Sequence, residues 1–132
     1  MRLLKLTTFA VLAMLALSSN AGYVTTADVF IGEDGPPGSG WGIASGSLRD
    51  ARDSSDNLQY IGCSMEVRSS GGFEIFCQAQ NSNGTTAYCF TSDPAHAKAV
   101  QMINSASVVQ FRWDDSFECW DVLTITGSEY LP

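Results

Sequence analysis

Cys63 to Cys89, with the sequence CSMEVRSSGGFEIFCQAQNSNGTTAYC, contains three runs of alternating apolar and polar residues that two turn sequences separate. Side chains of a strand point alternately to opposite faces of a sheet, so this pattern predicts a three-stranded antiparallel meander. The second turn, Ser82–Gly84, suits a three-residue hairpin loop with Gly84 in the left-handed conformation. That loop places Cys77 opposite Cys89 on the neighbouring strand.

The meander brings three of the four cysteines into one row on its buried face. Cys63 and Cys89 are then two strands apart, roughly 9–10 Å, which is too far for a disulfide. Two pairings remain: Cys63–Cys77 with Cys89–Cys119, or Cys77–Cys89 with Cys63–Cys119. We favour the first, because the turn at Arg68–Gly72 has the slack to accept a cross-strand bridge. The chain has no Cys-x-x-Cys pair of the kind that structural zinc sites use, so we predict disulfides and no metal.

Residues 1–21 have the features of a secretory signal peptide. Arg2 and Lys5 supply the positive start, Leu6–Leu17 is an apolar run, and small residues precede a cleavage site after Ala21. The apolar run is shorter than the ~20 residues that a membrane-spanning helix needs. We therefore predict a secreted or periplasmic protein with no membrane span after cleavage, in a compartment where disulfides persist.

The charge of the chain limits its partners. The 132 residues carry a formal charge of −7, with 7 basic and 14 acidic residues. Removing residues 1–21 takes away two basic residues and no acidic ones, so the charge of the remainder becomes −9. Phosphate backbones repel such a chain, so we expect no nucleic-acid binding. The charge favours solubility or a basic partner.

The remaining chain divides into an arm and one small domain. Residues 22–40 include the Gly- and Pro-rich segment Gly35–Gly40, which cannot hold a regular element, and we predict a flexible N-terminal arm. An edge strand within the β-branched stretch Tyr23–Ile31 is the alternative for its first part. Residues 41–132 then form a single β-rich domain that disulfides stabilise.

Outside the meander, the sequence predicts three further strands and one helix. Asp93 is a good N-cap residue and Pro94 suits the first helical position. The strands are Trp41–Arg52, Ser107–Trp113 and Cys119–Thr126, and the helix is Pro94–Ile103. The fold class is mainly β with one helix, in the order β-β-β-β-α-β-β. In outline it resembles a small oligonucleotide/oligosaccharide-binding barrel, although that barrel has three strands before its helix and four are predicted here.

The outer face of the meander is the candidate binding site. Aromatic and amide side chains on a sheet face can stack on sugar rings or bind another protein. The default interpretation of such a face is that the helix covers it and buries it as a second small core, because each layer of a two-layer domain has to bury an apolar face. The candidate residues are Tyr60, Phe76, Gln78, Tyr88 and Phe90.

A predicted turn after Trp113 carries four carboxylates that form a weak cation-site candidate, namely Asp114, Asp115, Glu118 and Asp121. Paired carboxylates can bind a cation or perform acid–base chemistry in a cleft, but on an exposed turn we expect water to screen them. His96 is the only histidine, and no nucleophile motif accompanies it. We predict no catalytic residues, no cofactor and no enzymatic activity.

The cysteine-centred pattern of the domain resembles that of small exported bacterial proteins of no assigned function. The residues that carry the resemblance are Gln59–Cys63, Cys77, Cys89–Pro94 and Cys119. The resemblance spans roughly residues 46–132. It implies a shared disulfide-bonded fold and an extracytoplasmic location, and it brings no functional residues.

Three functions fit these observations. The leading hypothesis is an exported, non-catalytic binding or envelope protein whose partner is an unknown protein or glycan. The alternative is a secreted inhibitor of a basic enzyme, such as a lysozyme, which the acidic charge favours. The third is a small hydrolase that uses carboxylates, and it requires two acids to converge in a pocket.

Overall fold

A computed structural model describes residues 26–130 of the chain. The predicted signal peptide and its cleavage site lie outside these residues. The described part consists of seven strands, two short α-helices and a final 3-10 turn, Ser128–Tyr130. The strands are β1 Phe30–Glu33, β2 Gly42–Ser47, β3 Tyr60–Val67, β4 Phe73–Gln80, β5 Thr86–Thr91, β6 Ser107–Trp113 and β7 Cys119–Thr126, and the helices are α1 Leu48–Asp53 and α2 Pro94–Gln101.

The strands form two antiparallel sheets. One sheet has the order β1-β2-β6-β7 and the other has the order β3-β4-β5. The mainly β, antiparallel class is therefore confirmed, but the barrel suggested by the outline of the fold is wrong. The reason is that β2 runs into α1 and pairs with β6, whereas β3 pairs only with β4.

The predicted register of the meander is confirmed strand by strand. Cys77 on β4 lies opposite Cys63 on β3 and Cys89 on β5. Gly84 in the second turn has φ +80°, the left-handed conformation that a residue without Cβ adopts without strain. Alternation along β4 and β5 therefore separates an inner from an outer set of side chains.

The disulfides follow the favoured pairing. Cys63–Cys77 joins adjacent strands of one sheet, and Cys89–Cys119 joins β5 to β7 in the other sheet. The Sγ atoms of Cys77, Cys89 and Cys119 all lie within 4.8 Å of one another. The two bridges thus meet in the core, and the second one ties the sheets together.

The inner faces of both sheets build one hydrophobic core. Phe111 and Val109 on β6 and Ile75 on β4 are fully buried, and burying each such side chain contributes about 1.5–3 kcal/mol. The ring of Trp113 lies directly over Gly42, where a Cβ would collide with it. Because Gly42 has no Cβ, the Trp113 indole can pack directly against β2.

Strand β1 lies inside the segment that the sequence analysis assigns to a flexible arm. It pairs with β2, with Phe30 opposite Ser45. The residues before it are also held, because the Val29 N–H donates to Gln59 Oε1 at 2.8 Å and the Ala27 N–H donates to Asp50 Oδ2 at 2.7 Å. The folded domain therefore includes residues that precede Trp41.

The predicted strand Trp41–Arg52 is in fact a strand followed by a helix. The strand ends at Ser47, whose Oγ accepts a hydrogen bond from the Asp50 N–H at 3.2 Å and caps α1. Ala51 is the buried residue of this helix. The described chain thus has two helices where one was predicted.

Helix α2 begins as predicted. Asp93 Oδ1 accepts a hydrogen bond from the Ala95 N–H at 2.7 Å, and the helix ends at Gln101, two residues earlier than predicted. It packs on the core side of the domain, where Ala97 is buried and Thr124 Oγ1 on β7 donates to the Ala99 carbonyl at 2.8 Å. In residues 26–130, neither this helix nor any other is long and apolar enough to span a bilayer.

Candidate functional site

The outer face of the meander is open to solvent. Tyr60, Tyr88 and Phe90 expose 40–42% of their surface, and Phe76 is half-buried. The interpretation in which the helix covers this face is wrong, because α2 lies on the core side of the domain. The structure therefore leaves an apolar surface exposed where the sequence analysis places a binding site.

Four aromatic rings on this surface contact one another. The ring centroids of Phe76 and Phe90 are 4.9 Å apart, and Tyr88 lies 6.1 Å from Phe76 and 5.8 Å from Phe90. Phe117 stacks on Tyr88 at 4.9 Å with an interplanar angle of 14°. These distances fall in the range of favourable aromatic pairs. We call Phe76, Tyr88, Phe90 and Phe117 the aromatic cluster.

Phe117 reaches the cluster from the turn between β6 and β7. Asp114 Oδ1 holds this turn by accepting hydrogen bonds from the N–H groups of Ser116 and Glu118, at 2.9 and 3.0 Å. The Phe117 carbonyl accepts a hydrogen bond from the Phe90 N–H at 3.0 Å. Phe117 also has φ +61°, a conformation that costs free energy for a residue with a side chain. Backbone contact with β5 therefore fixes the position of the ring.

Sequence reasoning missed Phe117 because it assigned the residue to a solvated acidic turn. One signal was available: Phe117 lies two residues before Cys119, and Cys89, the partner of Cys119, lies between Tyr88 and Phe90. In the favoured disulfide pairing, the turn has to pass close to the aromatic residues of β5.

The five predicted site residues share the outer face, but only three of them join the cluster. Gln78 lies opposite Tyr88 on one side and Gly62 on the other and is exposed. Tyr60 is the first residue of β3 and lies opposite Gln80. It makes no ring contact with another aromatic residue in the described part of the chain. Tyr60 and Gln78 therefore extend the surface without contributing to the ring cluster.

A cleft of about 610 Å³ opens beside the cluster, between the end of β5, the start of α2 and the turn before β7. Two of the cluster rings form part of its wall. Three carboxylates also line it, and no basic side chain does. The lining residues are Glu74, Phe90, Thr91, Ser92, Asp93, Pro94, Ser116, Phe117 and Glu118.

The three carboxylates of the cleft differ in their partners. Glu74 forms an ion pair with Arg68, with 2.9 Å between Oε2 and the guanidinium nitrogen. Asp93 uses one oxygen to cap α2. The Glu118 side chain pairs with no basic group among residues 26–130. Asp93 and Glu118 thus leave negative charge in the cleft without a local counter-charge.

The acidic residues around the turn do not assemble into the weak cation site. Asp114 is engaged in holding the turn, and Asp121 points toward Arg112, with 3.7 Å between the charged atoms. Within the described ranges, the turn carboxylates are not among the side chains grouped closely enough to share a metal ion. Of the four turn acids, only Glu118 lines the cleft, and His96 Nδ1 lies 3.1 Å from the Thr91 hydroxyl.

Comparisons of the chain with protein-family models, with curated proteins and with solved structures found no match.

Proposed function

We propose that this protein is an exported, non-catalytic binding protein that engages a protein or glycan partner through the aromatic cluster. The observation that carries the proposal is the exposure of Tyr88, Phe90 and Phe117, at 42–46% each, in mutual ring contact on one sheet face. Contiguous exposed apolar surface of this kind is typical of interaction sites.

The energetics of aromatic contacts support this proposal. Burial of apolar surface contributes roughly 25 cal/mol per Å², and aromatic side chains are enriched among the residues that dominate binding free energies. Three of the cluster residues lie on paired strands, and the Cys89–Cys119 disulfide holds the turn that carries Phe117. A rigid surface loses little conformational entropy when a partner binds.

The disulfide-bonded cysteines support the proposed export. All four are paired in disulfides, which persist in oxidising compartments outside the cytoplasm. The predicted signal peptide agrees with this location.

A capture experiment tests the proposal. The immobilised mature protein is exposed to extracytoplasmic proteins and to cell-wall glycans, in parallel with a Tyr88→Ala variant and a Leu123→Ala control. Leu123 is as exposed as Tyr88, at 42%, but it lies on the other sheet. We expect the wild type and the control to retain a partner that Tyr88→Ala loses. A partner that the Tyr88→Ala variant retains equally, or the absence of any partner, would contradict the proposal.

The cleft favours a second candidate function, a secreted inhibitor of a basic enzyme such as a lysozyme. Its lining combines three carboxylates with no basic side chain, and complementary charge accelerates and orients association. Inhibition of lysozyme should be measured at low and high salt, because screening shortens the reach of surface charge. We expect inhibition at low salt that high salt weakens. No inhibition at low salt would exclude this candidate for that enzyme.

A further inference from the structure

We propose that the cleft receives one arginine side chain from a protein partner, with its guanidinium group against Phe90 and Phe117 and beside Glu118. This inference rests on the proposed binding function and names the chemical group that the partner presents. It follows from the charge, the walls and the size of the cleft.

The charge of the cleft calls for a cation. Arg68 compensates Glu74, while the charges of Asp93 and Glu118 have no basic neighbour in the lining. An anionic or purely apolar ligand would leave these carboxylates without a partner, which is unfavourable when water is displaced. A metal ion is a poor occupant, because the three lining carboxylates are not among the described side chains grouped closely enough to share one.

The walls of the cleft favour a guanidinium over a compact ammonium. Phe90 and Phe117 expose 42% and 46% of their surface, and a planar guanidinium can stack on an aromatic face while it donates to a carboxylate. The volume of the cleft, about 610 Å³, accommodates a long side chain.

The protein itself uses this combination at another place. The guanidinium of Arg112 lies 5.3 Å from the centroid of the Trp120 ring and pairs with Asp34 and Asp121 at 3.5 and 3.7 Å. The lining of the cleft also combines aromatic rings with carboxylates, but it contains no arginine. A partner's arginine would complete the same set of groups.

An NMR titration tests this assignment with a defined probe. The ¹⁵N-labelled protein is titrated with the blocked tripeptide Gly-Arg-Gly and, as the matched neutral control, with blocked Gly-citrulline-Gly. We expect saturable shifts at the amides of Phe90, Phe117 and Glu118 with the arginine peptide. The citrulline peptide should bind at least about tenfold more weakly, because a charge-assisted hydrogen bond is lost. Equal shifts with both peptides, or shifts that do not saturate, would overturn the inference.

Two variants with the same change of charge sharpen the test. Glu118→Gln removes a carboxylate of the cleft, whereas Glu33→Gln removes an exposed carboxylate on β1 of the other sheet. We expect Glu118→Gln to weaken binding of the arginine peptide by about tenfold and Glu33→Gln to leave it unchanged. Equal weakening in both variants would mean that overall charge, and not the cleft, attracts the peptide. The amide spectra show whether each variant is folded.

The outcomes separate this inference from the proposed function. If the arginine peptide fails to bind while a captured partner still depends on Tyr88, the arginine assignment is wrong and the binding function stands. If the arginine peptide binds at the cleft but no captured partner depends on Tyr88, the cleft assignment stands and the role of the aromatic cluster is wrong.

Discussion

The inner and outer faces of the meander use the same three strands for different purposes. On the inner face, Ile75, Cys77 and Cys89 are fully buried. On the outer face, their sequence neighbours Phe76, Tyr88 and Phe90 point to solvent, and Tyr88 and Phe90 are each 42% exposed. The buried Ile75 and cysteine side chains stabilise the fold because their face packs in the core, whereas the larger aromatic side chains of the other face remain in contact with solvent.

Two neighbouring residues offer the strongest test of this difference. Ile75→Ala should lower the free energy of unfolding by about 2–5 kcal/mol, since it opens a cavity in the core. Phe76→Ala removes a larger side chain but should cost only about 1–2 kcal/mol, because that ring is half-buried and contacts other exposed rings. Urea denaturation measures both. A loss for Phe76→Ala as large as that for Ile75→Ala would show that the outer face also carries the fold.

Removal of the disulfide within the meander should cause the next largest loss of stability. The double variant Cys63→Ser/Cys77→Ser opens a link with a sequence separation of 14 residues and should cost roughly 3 kcal/mol in the chain-entropy model. The aromatic cluster should persist, because the other disulfide holds the turn of Phe117. Denaturation gives the loss of stability, and the amide shifts of Phe90 and Phe117 report on the cluster. Large shifts at these amides would mean that the two faces depend on each other.

Two substitutions of Phe117 distinguish the effect of backbone strain on stability from the effect of ring contact on the outer face. Both Phe117→Ala and Phe117→Gly remove the stacking on Tyr88, but only glycine adopts φ +61° without strain. The Gly variant should therefore be more stable than the Ala variant by about 1 kcal/mol, and both should lose the captured partner. Equal stabilities of the two variants in denaturation would show that the turn rearranges when the ring is removed.

The smallest expected effect lies at the turn before β3 and depends on pH. The pKa of the Asp56 carboxyl lies below its ordinary value, mainly because it accepts a hydrogen bond from the Leu58 N–H and also from the side chain of Gln59. The stabilisation by this carboxylate is present above the pKa of the unfolded chain and is lost as pH falls through the lowered pKa of the folded protein. Asp56→Asn should therefore be less stable than wild type near neutral pH, and the difference should vanish in acid.

Denaturation midpoints of wild type and Asp56→Asn, measured from neutral to acid pH, check this expectation. Since Asp56 belongs to neither face of the meander, the variant should capture the same partner as wild type. A stability difference that stays constant with pH would show that lost packing, and not the carboxylate charge, causes it.

Local alternation made the meander and the late hairpin predictable. The period of two along β4 and β5 indicates which residues share a face, and the loop at Ser82–Gly84 sets the register between them. The same reasoning placed β6 and β7 with the bounds that the structure has. It also placed three members of the aromatic cluster on one outer face.

The missed features depend on contacts between distant parts of the chain or on very short elements. The pairing of β2 with β6 joins residues more than 60 positions apart, and no local pattern encodes it. Helix α1 has six residues, too few for a helical period, and its capping Ser47 was the only signal. The position of Phe117 depends on a disulfide whose partner the sequence alone left open.

The Cys89–Cys119 disulfide also determines what a protease could do to this protein. The bridge encloses the chain from Phe90 to Glu118, including the exposed residues Asp115 and Ser116 at the tip of the turn. A single cut at this tip would leave both pieces covalently joined, with the new end only a few residues from Cys119. The nicked molecule would separate into two fragments on a gel only after reduction.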